Sequence, residues 1–452
     1  MSVASLASIH DLPPEILAQI FVLTIPPKGA TFQGSSNTSQ AVTLSLVSAR
    51  WRRVAIETPF IWATISITPI RSDFEAYKTV LLLHIARSQD IPLSINIHLY
   101  TSPGEDISPH KPLFTFIAQN AHRIRLFKFA CLASDVWEQL MGDMIEPSLS
   151  AKQTNNSSVS RVQAFPIENL SFNLTAYDQS DIRRIAGTLR GVSFPGLHAL
   201  TIACHNFGST FTLDWAFPWA QLTSLSFTCH DDADVPHIIH SCPRLKRLTV
   251  GLVDTSQYSR SRSRTGWIHR GTEMVSSSLT ELTLRIPNDL PAYRAMMHLL
   301  LLFSCPSLNS LSLKHDFVGR VRIEEEWTAE SVCERVERFH AALTHFLKDR
   351  SRCVPALFYL KIQDVLVTED SLRTLLQTLT SLEYLELVVA DEDREDVFYR
   401  IRAVDEAFLL DGAPEDSHLR RIRHSSNGKC RMVAEPVVRR FILSLPIPTY
   451  SL

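Results

Sequence analysis

The sequence predicts an α/β protein: a small N-terminal three-helix module, then an irregular solenoid of repeats with parallel strands on its concave face. Two observations lead to this prediction. Amphipathic runs fill the first 60 or so residues, and an L-x-x-L-x-L unit recurs from about residue 120 with helical runs between its copies. With 452 residues there is room for more than one core. We divide the chain into the module (1–67), a connecting and capping segment (68–118) and the repeat array with a C-terminal cap (119–452).

Composition narrows the functional classes. The net charge of −2 favours neither a nucleic-acid binder nor an acidic tail, and the eight cysteines include no CxxC pair. The start of the chain has no basic, apolar secretion signal, and its longest aliphatic run is far shorter than a membrane helix. We therefore expect a soluble cytoplasmic or nuclear protein with neither nucleic acid nor membrane as a partner.

Two prolines in the stretch IHDLPPEIL indicate where the first helix begins. Proline is tolerated in the first helical turn, because its missing N–H would have no partner there. Asp11 or Leu12 is therefore the expected N-cap region, and the helix should stop before Pro26 and Pro27.

A second apolar run begins after a loop rich in Gly, Ser and Asn, PPKGATFQGSSNTSQ. Its sequence is AVTLSLVSARWRRVAIETPFIW, with apolar residues at helical spacing. Ser48 is expected to divide this run into two short helices. Three helices in about 55 residues make a core so small that a partner usually completes it.

These two runs together resemble the F-box, and in particular the F-box-like proteins of mushroom-forming fungi. The resemblance covers about residues 9–67 and rests on the combination of Leu-Pro followed by Glu-Ile, LVSARWRRVA, and TPFIW. In that family the module docks on the Skp adaptor of a cullin-RING ubiquitin ligase through its Leu-Pro start and the apolar helix faces. The resemblance implies adaptor contacts at Leu12, Pro13, Ile16, Leu17, Ile20, Leu44, Val47 and Trp51. A competing interpretation is that these residues only pack a helical bundle, and this applies above all to Trp51.

The repeat unit begins with an apolar residue, often just after Pro or Cys-Pro, and continues as L-x-x-L-x-L. Between copies the spacing varies from 23 to 49 residues, which matches an irregular leucine-rich repeat. A unit alone cannot bury its apolar face, whereas stacked units can. The leading residues are Ile124, Ile167, Leu197, Leu222, Leu245, Leu279, Leu308, Leu357, Leu382 and, in a weaker last copy, Leu419.

Side chains alternate along a strand, so positions three, five and seven of each unit should face solvent on the concave side. Position five is mostly Ser or Thr, while charged and aromatic residues gather in the later units. Exposed aromatic and arginine side chains on a rigid surface are typical of binding faces. The predicted target-binding residues are Arg247, Glu281, Arg285, Lys314, Tyr359, Lys361, Tyr384 and Glu386. A plain solvated strand surface is the alternative.

One segment contains residue types that bind metals, TCHDDADVPHIIHSC, from Thr228 to Cys242. The same segment spans one repeat period, with a strand end, a turn and a helix. Cys242 corresponds to Cys305, which has no histidine nearby, so the sequence favours repeat structure over a metal site. No nucleophile elbow, phosphate-binding glycine loop or HExxH motif is present, and we expect no cofactor and no intrinsic catalysis.

The expected function is that of a substrate-recognition adaptor in a Skp–cullin–F-box ubiquitin ligase, with the repeats holding an unidentified target protein. Two other functions remain open. One is an interaction scaffold that works outside any ligase, with the N-terminal helices as a cap for the repeats. The other is a metal- or thiol-dependent enzyme.

Overall fold

The structure is a computed structural model. It describes residues 9, 12–25, 30–33, 39–68, 74–99, 108–131, 136, 139–140, 142, 163–174, 185, 187, 189, 192–204, 217–229, 235–252, 274–287, 290–316, 329–363, 369–388, 421–426 and 429–432. Two compact units divide the chain, Met1–Leu222 and Thr223–Leu452. Within the described ranges, no helix has both the length and the apolar character needed to cross a membrane.

The chain opens with short helices around one small core. They are α1 (Pro14–Thr24), α2 (Gln40–Leu46) and α3 (Ala49–Ile56), followed by a 3-10 turn at Pro59–Trp62. Their shared core consists of Leu17, Phe21, Ala41, Val54, Ala55, Ile61 and Trp62.

The boundaries of these helices follow from capping. Pro13 occupies the N-cap of α1 and Pro14 its first turn, so the helix starts one or two residues later than expected. Asp11, the other expected cap, lies outside the described residues. Ser48 divides the second run into two helices, as predicted. Its hydroxyl accepts a hydrogen bond from the N–H of Trp51 at 3.2 Å and so caps α3.

The predicted loop between α1 and α2 contains a strand that sequence reasoning missed. This strand, β1 (Ala30–Gln33), pairs in parallel with β2 (Thr64–Thr68). Ala30 and Phe32 alternate with Thr31 and Gln33, but this short alternation lies between Pro, Gly and Ser residues that indicate a loop. The pairing with a distant strand is what defines it.

The first unit contains a parallel sheet in the order β1-β2-β3-β4-β6-β8. The sheet therefore begins well before residue 119, where the sequence predicted the repeats to start, and the connecting segment contributes β3 to it. That segment forms a helix and then a strand. The remaining elements of this unit are α4 (Phe74–Arg87), β3 (Leu93–Leu99), α5 (Lys111–Gln119), β4 (Ile124–Cys131), β5 (Gln163–Ala164), β6 (Asn169–Leu174), β7 (Val192–Ser193) and β8 (Ala199–Cys204).

The second unit repeats this arrangement with seven parallel strands, β9-β10-β12-β14-β15-β16-β17, and an antiparallel β18 at the edge. Each predicted repeat, including the weak last copy, coincides with a strand of one of the two compact units.

The elements of the second compact unit are β9 (Ser224–Cys229), α6 (Val235–His240), β10 (Arg247–Leu252), β11 (Met274–Val275), β12 (Glu281–Pro287), α7 (Leu290–Leu302), β13 (Phe303–Ser304), β14 (Ser310–Asp316), α8 (Ala329–His345) with a π-helical turn at Phe346–Arg350, β15 (Tyr359–Gln363), α9 (Glu369–Thr378), β16 (Tyr384–Val388), β17 (Arg421–Ser426) and β18 (Lys429–Met432).

Equivalent residues of successive units stand in register across the sheet of the second unit. Position four pairs leucine with leucine from β9 to β16, and every one of these side chains is at most 1% exposed. Burying such a side chain contributes roughly 2 kcal/mol. The position-four residues are Leu225, Leu248, Leu282, Leu311, Leu360 and Leu385.

Backbone hydrogen bonds set this register. The residues that follow Leu222, Leu245, Leu279, Leu308 and Leu357 each offer their carbonyl to two consecutive N–H groups of the next repeat. The Thr280 carbonyl, for example, accepts from Asn309 at 2.9 Å and Ser310 at 3.1 Å, and the Asn309 carbonyl accepts from Phe358 and Tyr359, both at 3.1 Å. The spacing between the leading leucines Leu308 and Leu357 is 49 residues, yet the register is unchanged.

A side-chain hydrogen bond reinforces the same junction, which the sequence analysis did not predict. At three junctions the residue before a leading leucine donates to the carbonyl of the preceding leading residue. Gln221 donates to Leu197 at 2.8 Å, Ser278 to Leu245 at 2.9 Å, and Ser381 to Leu357 at 3.2 Å. Adjacent units are thus joined by polar as well as apolar contacts.

We predict that Leu311→Ala lowers the free energy of unfolding by about 2–5 kcal/mol, since it leaves a cavity between Leu282 and Leu360. Urea denaturation followed by circular dichroism measures this change. The matched control is Ser312→Ala, which alters the opposite side of the same strand and should change stability by less than about 0.5 kcal/mol. Equal effects of the two substitutions would show that the in-register leucines at position four do not stabilise the sheet more than its outward residues do.

Candidate interaction surfaces

The solvent-facing side of α1 is apolar. Ile16 is 42% exposed and Leu23 83% exposed, and Pro13 is exposed as well, whereas Leu12 and Ile20 are half-buried. Residues 16, 20 and 23 recur at helical spacing and so share one side of α1. This exposed apolar stripe is unusual for a helix whose other side already packs a core.

The end of α2 adds two more exposed apolar side chains. Leu46 and Val47 are 62% and 54% exposed, whereas Leu44 is half-buried against the core. Arginines of α3 fix the backbone nearby. Arg50 donates to the carbonyl of Leu12, and Arg52 donates from Nε to the carbonyl of Ser45 at 3.1 Å. Both the start of α1 and the end of α2 are thereby held in place.

Two of the predicted adaptor contacts face inward instead. Leu17 is 0% exposed and belongs to the core, so the folded module does not present its side chain at the surface. Trp51 packs against this core with its ring centroid 5.0 Å from that of Phe21, as the core interpretation proposed. Its indole N–H is buried and has no hydrogen-bond partner among the residues that the structure describes. The helical period alone cannot tell which of Ile16 and Leu17 points inward, because both belong to the apolar residues of α1.

The second candidate surface consists of the outward side chains at positions three, five and seven in the second unit, and we call it the strand face. Six of the eight predicted target-binding residues are half-buried there, while Arg247 and Glu281 are exposed. The register places neighbours side by side: Arg247 with Glu281, Arg285 with Lys314, Tyr359 with Tyr384, and Lys361 with Glu386.

A carboxylate organises one end of the strand face. Glu386 accepts a hydrogen bond from the Tyr359 hydroxyl at 2.7 Å and another from Lys361 Nζ at 3.2 Å. The ion pair is largely covered, with the Lys361 and Glu386 side chains 26% and 13% exposed. Tyr384 packs edge-on against Phe358, with ring centroids 6.3 Å apart. Sequence reasoning selected these residues but could not foresee that they bond to one another.

The cysteines of the repeat turns are core residues. Cys242, Cys305 and Cys353 are buried, and burial raises the pKa of each thiol to about 12, which suppresses the reactive thiolate. Among the described residues, no group of three metal-ligating side chains comes together. His230 to Asp234, the acidic part of the candidate metal segment, lie outside the described residues.

Comparison with protein families adds one match, to the F-box-like family over residues 9–68. The N-terminal helices form an F-box-like domain. F-box domains in general bind the Skp adaptor, so the domain indicates an adaptor of an SCF-type ubiquitin ligase or another protein-interaction role.

The other comparisons add little. A search of curated proteins finds no match to the chain. A crystal structure of a Bacteroides fragilis protein is similar over 69% of this chain and 84% of that chain, at 14% identity and a TM-score of 0.28. A score this low supports no argument about fold or function.

The F-box-like domain is bonded to the helix that follows it. His84 of α4 is fully buried and lies between two groups of the domain. Its Nδ1 is 2.9 Å from the Trp62 carbonyl and its Nε2 is 2.8 Å from the Ser39 hydroxyl. A carbonyl only accepts, so Nδ1 carries the proton and Nε2 accepts from Ser39. The Ser39 oxygen in turn accepts from the Val42 N–H at 3.2 Å, which caps α2.

In this chain of hydrogen bonds the imidazole is neutral. Burial is the main cause that lowers the pKa of His84 from 6.5 to about 4, the Arg87 charge lowers it further, and the bond to Trp62 partly offsets both. Arg87 itself lies over the Trp62 ring at 4.4 Å from its centroid. The F-box-like domain and α4 are therefore held together by a group that resists protonation.

We predict that acid weakens the fold through His84. Below pH 6.5 the unfolded chain takes up a proton that the folded chain refuses until about pH 4, so stability falls as pH decreases across this window. The loss from pH 7 to pH 5 should be about 2 kcal/mol. Urea denaturation at several pH values measures it.

In His84→Gln this part of the pH dependence should vanish. The control His122→Gln alters an exposed histidine and should keep the wild-type slope. If His84→Gln retains the slope of the wild-type protein, a different group is responsible.

Proposed function

We propose that this chain is a substrate-recognition adaptor of an SCF-type ubiquitin ligase. The F-box-like domain docks the Skp adaptor, and through it a cullin-RING ligase, while a leucine-rich-repeat array with strands on its concave face holds a target protein. The observation that carries the proposal is the exposed apolar surface of the F-box-like domain, at Pro13, Ile16, Leu23, Leu46 and Val47. A small module with its own core has no reason to expose such a surface unless a partner covers it.

The proposed role is geometric and not chemical. Holding a target next to the ligase raises its effective concentration at the site of ubiquitin transfer. We propose that the chain itself makes and breaks no bonds, and the raised pKa values of the buried thiols support this for those three cysteines. The outward residues of the strand face supply the target-binding surface.

A second candidate is a scaffold that works outside any ligase. Two observations favour it: β2 leads directly from the F-box-like domain into the parallel sheet, and His84 bonds the domain to α4. In this case the N-terminal helices would serve as a cap for the sheet.

Adaptor binding decides between the two functions. We predict that the intact chain binds a purified Skp adaptor in biolayer interferometry, and that Ile16→Glu/Val47→Glu weakens binding at least about tenfold by placing charges in the apolar contact. Leu12→Ala/Pro13→Ala should also weaken it.

The matched control is Leu82→Glu, which changes an equally exposed leucine on α4, outside residues 9–68. It should bind the adaptor like the wild-type protein. No binding by the intact chain would favour the scaffold.

A further inference from the structure

The strand face places two positive charges next to each other. Arg285 of β12 and Lys314 of β14 are directly paired in register, on strands about 4.8 Å apart. Like charges directly opposite each other destabilise a sheet, so this pair has an energetic cost that other contacts must offset. Each side chain also takes part in a further interaction within the chain, and both are half-buried.

The surroundings of this pair suit an extended backbone with acceptor groups. Gly251 is the neighbour of Arg285 in the same row, and it is buried beside Thr228, where an added Cβ would lie 2.9 Å from Cγ2 of that threonine. The adjacent row consists of hydroxyl groups in register, at Ser226, Thr249, Thr283 and Ser312. Hydroxyl groups can donate hydrogen bonds to carboxylates, and this row of hydroxyls runs beside the row that contains Arg285 and Lys314.

An aromatic pair lies at the far end of the same face. Tyr359 and Tyr384 are neighbours in register, and Glu386 fixes Tyr359 through its hydroxyl. Glu386 also accepts a hydrogen bond from Lys361, so the charge of this lysine is offset within the face. Rigid tyrosines of this kind favour a large apolar side chain of a ligand.

The charge balance of the face is opposite to that of the whole chain. From β10 to β16, its described charged residues are four cations (Arg247, Arg285, Lys314 and Lys361) and two acids (Glu281 and Glu386), a balance of 4 − 2 = +2. The complete chain has a net charge of −2. A surface of opposite sign attracts and orients an anionic partner.

We propose that the strand face binds an extended segment of a target protein that is rich in Asp and Glu. Its carboxylates lie against Arg285 and Lys314, and an aromatic or aliphatic side chain lies against Tyr359 and Tyr384. This inference rests on the proposed function, since it specifies which class of target the adaptor holds.

The test uses the full chain and fluorescent synthetic peptides. The probe peptide alternates Glu with Ser and ends in Phe-Leu, and two matched peptides carry Gln or Lys in place of every Glu. Fluorescence anisotropy should show that the Glu peptide binds at least about tenfold more tightly than the Gln peptide, and that this preference shrinks as salt is added. The Lys peptide should not bind.

Variants locate the binding. Arg285→Ser/Lys314→Ser should weaken the Glu peptide at least about tenfold, and Arg285→Glu/Lys314→Glu should transfer the preference to the Lys peptide. The control Lys348→Ser removes an exposed lysine from the turn after α8 and should leave binding unchanged. Circular dichroism verifies that each variant is folded.

Three results would overturn the proposal: equal binding of the Glu and Gln peptides, equal loss in the face variant and the Lys348 control, or binding only when the serines are phosphorylated. Skp-adaptor binding is measured on the same preparations. If the adaptor binds and the Glu peptide does not, the target class is wrong while the proposed function survives. If the peptide binds and the adaptor does not, the target class is correct while the proposed function fails.

Discussion

The carbonyl that follows a leading leucine, from Leu222 to Leu357, is the contact on which the rest of the second unit depends. By accepting two N–H groups from the next unit, it fixes where that unit begins, and every later residue of the strand then has a determined neighbour. Leucine falls beside leucine inside the sheet, and the outward residues fall into straight rows. Slipping by one residue would turn each buried leucine to solvent, so the apolar ladder and the backbone junction enforce the same alignment. The long insertion before β15 is tolerated because it starts and ends outside this junction.

Local patterns in the sequence were sufficient to predict the repeating strands and the intervening helices. A leading apolar residue followed by apolar residues at positions four and six is enough to predict a strand when the neighbouring repeats carry the same motif. The strand β1 was missed because it owes its conformation to β2, more than thirty residues away. The connecting segment was taken as a cap because it lacks the leucine motif, although Ile95 and Ile97 of β3 fill the same inward positions as Phe127 and Phe129 of β4.

Surface assignments were harder to predict than the fold. The apolar face of α1 was recognisable, yet only the packed core distinguishes Leu17, which is inside, from Ile16, which is outside. The outward rows of the strands could be derived from alternation alone, and the structure places those residues where the pattern put them. Their mutual bonds, such as that of Tyr359 with Glu386, depend on register between units 25 or more residues apart and leave no trace in a single unit. For the same reason the role of His84 was invisible: its partners lie 22 and 45 residues earlier.

The bond between Ser39 and His84 also bears on where this polypeptide can be cut. A truncated fragment that ended at residue 68, the limit of the family match, would keep Ser39 and Trp62 but lose the imidazole that links them. It would also uncover the indole of Trp62, which is 0% exposed in the intact chain, and take away the guanidinium that lies over it. A fragment that keeps these contacts must therefore extend through Arg87, beyond the segment that the family match identifies.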